Sequence, residues 1–167
     1  RVHAQTLIAA WRKEIQRIED QAFLMLAKQL AEPGTVEGLK GGIAQALLIA
    51  QNRPRRIEAQ TLLASWTKRI EVVQDQPFLD EALALAKQGK LSAAIESASE
   101  IKSGRTLYAK AQENFDQWVG ELQVAQDRPI LDQAAELASQ GRLGAAINMA
   151  SQLSYGRALH SEAAGAI

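Results

Sequence analysis

Cysteine is absent from this 167-residue sequence, which excludes disulfides and thiolate metal sites and is compatible with either redox compartment. Only two histidines are present, His3 and His160, so histidine-based catalysis and metal binding have little to draw on. Aromatics make up 5% of the residues and prolines number four. Alanine is abundant, and together these suit close-packed helices better than sheets. Neither sign of charge predominates, with nineteen basic and nineteen acidic side chains. Nucleic-acid and acidic-membrane binders more often carry a basic excess, so neither partner is expected. No apolar run reaches the length of a membrane span and no signal-peptide pattern occurs, so this segment is not expected to insert directly into a membrane. With 47% apolar residues, the chain can bury a core without staples.

What the sequence does contain is repetition, the feature to look for first in a helical chain. Trp66 and Trp118 are separated by 52 residues, and the same offset pairs Asp75 with Asp127, Pro77 with Pro129, Gly89 with Gly141, Ile95 with Ile147 and Arg105 with Arg157. Roughly two in five positions are identical between these copies, far above chance. An earlier copy fits at an offset of 55 through Trp11, Asp20 and Phe23, then at 52 from Leu39 onward through Ile43 and Arg53. The three extra residues fall between Thr35 and Gly38, where a loop would absorb them. The copies cover about residues 1–52, 53–104 and 105–156, with a partial fourth at 157–167. A start at Arg1 and a stop inside a fourth copy lead us to expect a segment of a longer protein.

Each copy reads as three helices. The first runs from about Arg105 to Gln126 in copy 3, with Leu107, Ala111, Phe115, Trp118, Leu122 and Ala125 forming one apolar stripe. Copy 2 repeats the stripe as Ala59, Leu63, Trp66, Ile70 and Val73, and copy 1 as Ala4, Ile8, Trp11, Ile15 and Ile18. Asp75, Gln76 and Pro77 then read as a corner. Proline disfavours α-conformation in the residue before it and suits a helix's first turn, and Asp75 and Asp127 stand where an N-cap would. Copy 1 has Ala22 in place of the proline, which predicts a less defined corner. The second helix buries Phe78, Leu79, Ala82, Leu83, Leu85 and Ala86 and stops at Gly89, a natural C-terminal cap. The third runs from Leu91 to about Ile101 and ends at Gly104, where Arg105 opens the next long helix. Asn52 replaces that glycine in copy 1 as another residue tolerant of left-handed backbone. Residues from Gly156 onward read as the fraying start of a fourth long helix.

The stretch A-L-A-L-A-K-Q-G-K-L-S-A-A-I-E-S-A of copy 2 resembles the helix-turn-helix of tetratricopeptide-type repeats, over about half of each copy. The 52-residue period departs from the 34 of that family, the long helix being the excess. The wider pattern W-x₃-I…D-x-P…Q-G-x-L-x-A-A-I…G-R-x-L is similar to tandem repeats in large cyanobacterial proteins of unassigned function, some of them membrane-anchored. That resemblance implies no activity. It is compatible with a soluble segment outside the membrane of an anchored protein. The expected fold is all-α: a right-handed-type, tetratricopeptide-like α-solenoid of about three three-helix repeats plus a truncated final helix.

The three tryptophans could form a ligand-stacking ladder, but their identical placement in apolar stripes favours core packing. Arg53, Arg105 and Arg157 recur beside a turn. They could bind carboxylate or phosphate on a partner, or could close the preceding helix or reach an Asp or Glu of a neighbouring copy. Arg53, Arg55 and Arg56 form the one basic cluster and are the best candidate for a partner surface. Lys102, Tyr108 and Tyr155 vary between copies and complete the candidate partner-binding set. No Gly-rich phosphate loop, H-E-x-x-H or nucleophile motif is present, so no catalytic residue, cofactor or metal site is expected. The sequence therefore predicts a non-catalytic scaffold with a protein partner, or self-association through exposed array ends. A structural spacer or stalk is the alternative, and a carrier of an apolar small molecule the weaker one.

Overall fold

The computed structural model describes residues 2–153 and 155–165 and is all-helical, with seven α-helices among the described residues. They are α1 Val2–Ala31, α2 Val36–Ala46, α3 Arg56–Lys87, α4 Leu91–Ser99, α5 Tyr108–Ser139, α6 Leu143–Ala150 and α7 His160–Gly165. None of the described helices is long and apolar enough to cross a membrane. The chain divides into two compact units, residues 1–77 with 104–107, and residues 78–103 with 108–167.

The expected corner at Asp-x-Pro does not form. α3 and α5 run unbroken through Pro77 and Pro129 for 32 residues each, and α1, with Ala22 at that place, for 30. Each copy is thus a long helix and a short one, rather than three helices. An interior proline loses one backbone hydrogen bond and crowds the carbonyl four residues before it, at a cost of about 3 kcal/mol. Burial on its C-terminal side offsets that cost, since Leu79 and Ala82 are both 0% exposed. Asp75 and Asp127 consequently stand in mid-helix and cap nothing. Nor does Arg105 open a helix: α5 starts three residues later, at Tyr108.

The turns between long and short helices follow the sequence. Gly89 has φ +74° and Gly141 φ +73°, the left-handed backbone that glycine adopts without a Cβ penalty. In each, the next residue's N–H reaches back to close the helix: Lys90 to Leu85 O and Arg142 to Leu137 O, both at 3.0 Å. Asn52 does not take up this conformation, because every positive-φ residue described is glycine. The three-residue insertion in copy 1 is no loop. It lengthens α2 by about a turn at its N-terminus, where Thr35 Oγ1 accepts the Gly38 N–H at 3.1 Å.

In the first unit, α1 packs on α2 and the core gathers Leu24, Ala27, Ala31, Leu39, Ala46, Ile49, Ala59 and Trp66. Gly42 lies at a close approach of α2 to α1 and Trp66. A Cβ there would stand 2.7 Å from Ala27 O, 2.9 Å from Ala31 Cβ and 3.2 Å from Trp66 Cζ3. Gly42→Ala is therefore expected to destabilise by about 1–3 kcal/mol through overpacking. Intrinsic helix propensity alone would favour alanine by about 1 kcal/mol, so a fall in the urea midpoint separates the two effects. Copies 2 and 3 carry Ala94 and Ala146 at this place.

The second unit has two clusters. Ala82, Ala94, Ala98 and Trp118 form one, and Leu131, Ala134, Ala150, Leu153, Leu159 and Ala163 the other. α7 is accordingly packed rather than frayed over its described residues, with Ala163 2% exposed. Phe78, expected in the core, is 39% exposed.

Candidate functional site

Two features recur at the copy spacing, a charged clasp and a socket for tryptophan. The clasp joins the mid-helix aspartate to the arginine of the following turn. Arg53 Nε donates to Asp20 Oδ1 at 2.7 Å, and its Nη2 donates to Glu19 Oε2 at 2.9 Å and Gln16 O at 3.2 Å. Arg105 forks onto Asp75, Nε to Oδ2 at 2.8 Å and Nη2 to Oδ1 at 2.7 Å. Arg157 grips Asp127 Oδ1 with both Nε and Nη2. All three carboxylates are buried. A buried carboxylate is tolerable only when its charge is paired and hydrogen-bonded, and the planar guanidinium supplies both at once. The pairing holds each arginine above its ordinary pKa, led by Glu19 for Arg53, by Asp75 for Arg105 and by Asp127 for Arg157. Nearby, the Thr106 hydroxyl holds Glu71 below the ordinary carboxylate value.

The basic cluster is likewise turned inward. Arg55 pairs with Glu58 at 2.9 Å and gives its backbone N–H to Asp20 Oδ2. Arg56 Nη1 donates to Ile49 O at 2.6 Å. His160, at the place of Arg56 in the copy pattern, repeats this contact with its Nδ1 2.8 Å from Leu153 O. A carbonyl oxygen only accepts, so the proton is assigned to Nδ1. Lys102 donates to Ser99 O at 3.0 Å. Of the candidate tyrosines, Tyr108 lines a hollow with Ile101, Lys102 and Phe115, while Tyr155 is 92% exposed and meets the His160 ring edge-on. The five arginines already have partners within the chain.

The socket is what sequence reasoning missed. Trp118 packs on Ala82, Ala94 and Ala98, with Ala86, Leu91 and Ile95 around them. Trp66 packs likewise on Ala27, Ala31, Leu39 and Ala46, with Ile43 beside them and Gly42 below. The same six positions in copy 3 are Ala134, Ala138, Leu143, Ala146, Ile147 and Ala150, and they line a hollow of about 270 Å³. Arg128, Asp132 and Glu162 stand on its border, and Arg128 Nη1 donates to Glu162 Oε1 at 2.6 Å. Leu91 and Ile95 are half-buried beside Trp118, whereas their counterparts Leu143 and Ile147 are exposed.

The converse holds on α1. Ile8, Trp11, Ile15 and Ile18, expected as a buried stripe, are exposed, and Trp11 is 63% so. The stripe is apolar, but none of the described residues buries it. Comparison with protein-family models, curated proteins and solved structures found no match to this chain.

Proposed function

We propose that this chain is a non-catalytic helical-repeat scaffold, a tetratricopeptide-like α-solenoid, that binds protein partners by helix-face packing. The observation that carries this reading is the copy 3 hollow, built of the same six positions that receive Trp66 and Trp118 but open to solvent. Apolar concavities of this kind accept the apolar face of an amphipathic helix. The recurring carboxylates, the obvious acid–base candidates, are committed to arginines, which supports a non-catalytic role. The clasps favour a structural spacer as the second reading, since they tie each turn to a long helix. An enclosed cavity would favour a small-molecule carrier, and this hollow, with Leu143 62% exposed, is not enclosed.

The test is a helix-stapled, fluorescently labelled peptide carrying residues 58–73, titrated with the intact chain and followed by anisotropy. Saturable binding is expected, weakened about tenfold or more by Trp66→Ala in the peptide or Ile147→Lys in the chain. Absence of binding by the unaltered peptide would count against a docking role and favour the spacer.

A further inference from the structure

We propose that the corner between α1 and the turn after α2 is a binding site for a sugar phosphate. Arg12, Lys13 and Gln16 of α1 and Gln51 and Asn52 of the turn line one hollow of about 510 Å³, within the size range of small-molecule sites. No carboxylate is among its described lining residues. Among the described residues, none of these five side chains makes a hydrogen bond or ion pair, so all five are available to a ligand. Arg53 ties the turn to α1, its Nε donating to Asp20 and its Nη2 to Glu19 and Gln16 O. Asp20 and Glu19 answer its charge, which leaves Arg12 and Lys13 as the two cations for a ligand. A phosphate monoester carries about −1.5 to −2 charges near neutral pH and takes hydrogen bonds from a guanidinium and an ammonium together. Each carboxamide both donates and accepts, as a hydroxyl does. Three of them beside two cations suit a phosphate on a polyhydroxylated body, not one on an apolar tail. The site lies wholly in the first unit and stands whether or not the copy 3 hollow docks a helix.

Copies 2 and 3 lack the arrangement, so the fold does not require it. At the places of Arg12, Lys13 and Gln16, copy 2 has Thr67, Lys68 and Glu71, and copy 3 has Val119, Gly120 and Gln123. At the places of Gln51 and Asn52 stand Ser103 and Gly104, then Tyr155 and Gly156. In copy 2 the carboxylate also closes the corner, since Glu71 Oε2 accepts the Thr106 N–H at 3.0 Å and its hydroxyl at 2.6 Å. Copy 1 has Gln16 and Pro54 there, and proline has no N–H to give. The acid is thus removed where the two cations are brought together. Nor is this the face that a preceding copy covers. Trp66 is buried on α1 and α2, yet beside it Ala64, Thr67 and Lys68, the counterparts of Ala9, Arg12 and Lys13, stay exposed. A copy packed on the tryptophan stripe leaves this face to solvent.

The experiment is titration of the isotopically labelled intact chain with glucose 6-phosphate, followed by amide NMR shifts. Parallel titrations use inorganic phosphate, glucose, a phosphoserine peptide and phosphatidic-acid vesicles. Glucose 6-phosphate should shift the amides of residues 12–16 and 51–53 saturably and bind more tightly than inorganic phosphate, while glucose should not bind. Arg12→Gln with Lys13→Gln should weaken binding about tenfold or more. Lys68→Gln with Lys90→Gln removes the same two charges elsewhere and should change it by less than about twofold. Gln51→Ala with Asn52→Ala should bring glucose 6-phosphate down to the affinity of inorganic phosphate. All six replaced side chains are exposed, and unchanged far-ultraviolet circular dichroism verifies the fold of each variant. No saturable shift at millimolar ligand, an equal loss from the two charge variants, or inorganic phosphate binding as tightly as glucose 6-phosphate would each overturn the proposal. Tighter binding of the phosphoserine peptide, lost with Arg12→Gln and Lys13→Gln, would give the corner to a protein partner instead. Binding to the vesicles alone would give it to a lipid headgroup.

Discussion

Replacing Trp118 with alanine is expected to lower the unfolding free energy by about 3–5 kcal/mol, whereas Trp11→Ala should change it by less than about 0.5 kcal/mol. The two residues hold the same place in the copy pattern and differ in what lies against them. Trp118 is 5% exposed and surrounded by Ala82, Ala86, Ala94 and Ala98, with Leu91 and Ile95 beside them. An indole buries roughly 150–250 Å², and its removal leaves a cavity that alanine methyls are too short to fill. The loss should therefore fall in the upper part of the range, because the cost of truncation grows with the cavity that remains. Trp11, 63% exposed, has no such surroundings among the described residues and loses little when cut back. Chemical denaturation followed by circular dichroism measures both. Equal losses for the two variants would mean that α1 is covered in solution by some part of the chain.

The same pair shows what the sequence could and could not disclose. The 52-residue offset and the 3.6-residue stripe identified every tryptophan helix, and Gly89 and Gly141 marked the turns, because period and positive-φ chemistry are local properties. The Asp-Gln-Pro reading failed for the converse reason. The rules for proline and the residue before it are local preferences, and in α3 they yield to burial of Leu79 and Ala82 and to the bond that Arg105 donates to Asp75. That bond did leave a trace. Asp75 precedes Arg105 by 30 residues, Asp127 precedes Arg157 by 30, and Asp20 precedes Arg53 by 33, the three-residue insertion accounting for the difference. Opposite charges that recur in step at long range are better explained by mutual contact than by two unrelated local roles. The exposure of Trp11 left no such trace in its own helix, since an amphipathic stripe records that a face is apolar and not whether anything covers it.

The clasps lead to the second large effect. Asp20→Ala is expected to cost about 3 kcal/mol, the lower end of the range for breaking a buried ion pair. Asp20 is fully buried, and its two oxygens serve two donors, Arg53 Nε at 2.7 Å and the Arg55 backbone N–H at 3.2 Å. Alanine removes both acceptors. Arg53 can still turn to Glu19 and Gln16 O, which limits the loss, but the Arg55 N–H has no such recourse. Asp127→Ala should cost less, about 1–2 kcal/mol. Only Asp127 Oδ1 is bonded to Arg157, while Oδ2 is buried without a hydrogen-bond partner among the described residues. Removing that carboxylate also removes the penalty of the unsatisfied oxygen, and Arg157, a third exposed, can turn toward water. The order Asp20 above Asp127, read from paired denaturation curves, follows from the number of satisfied oxygens. An equal loss at both positions would mean that the ion pair alone sets the cost and that the Arg55 backbone bond adds nothing.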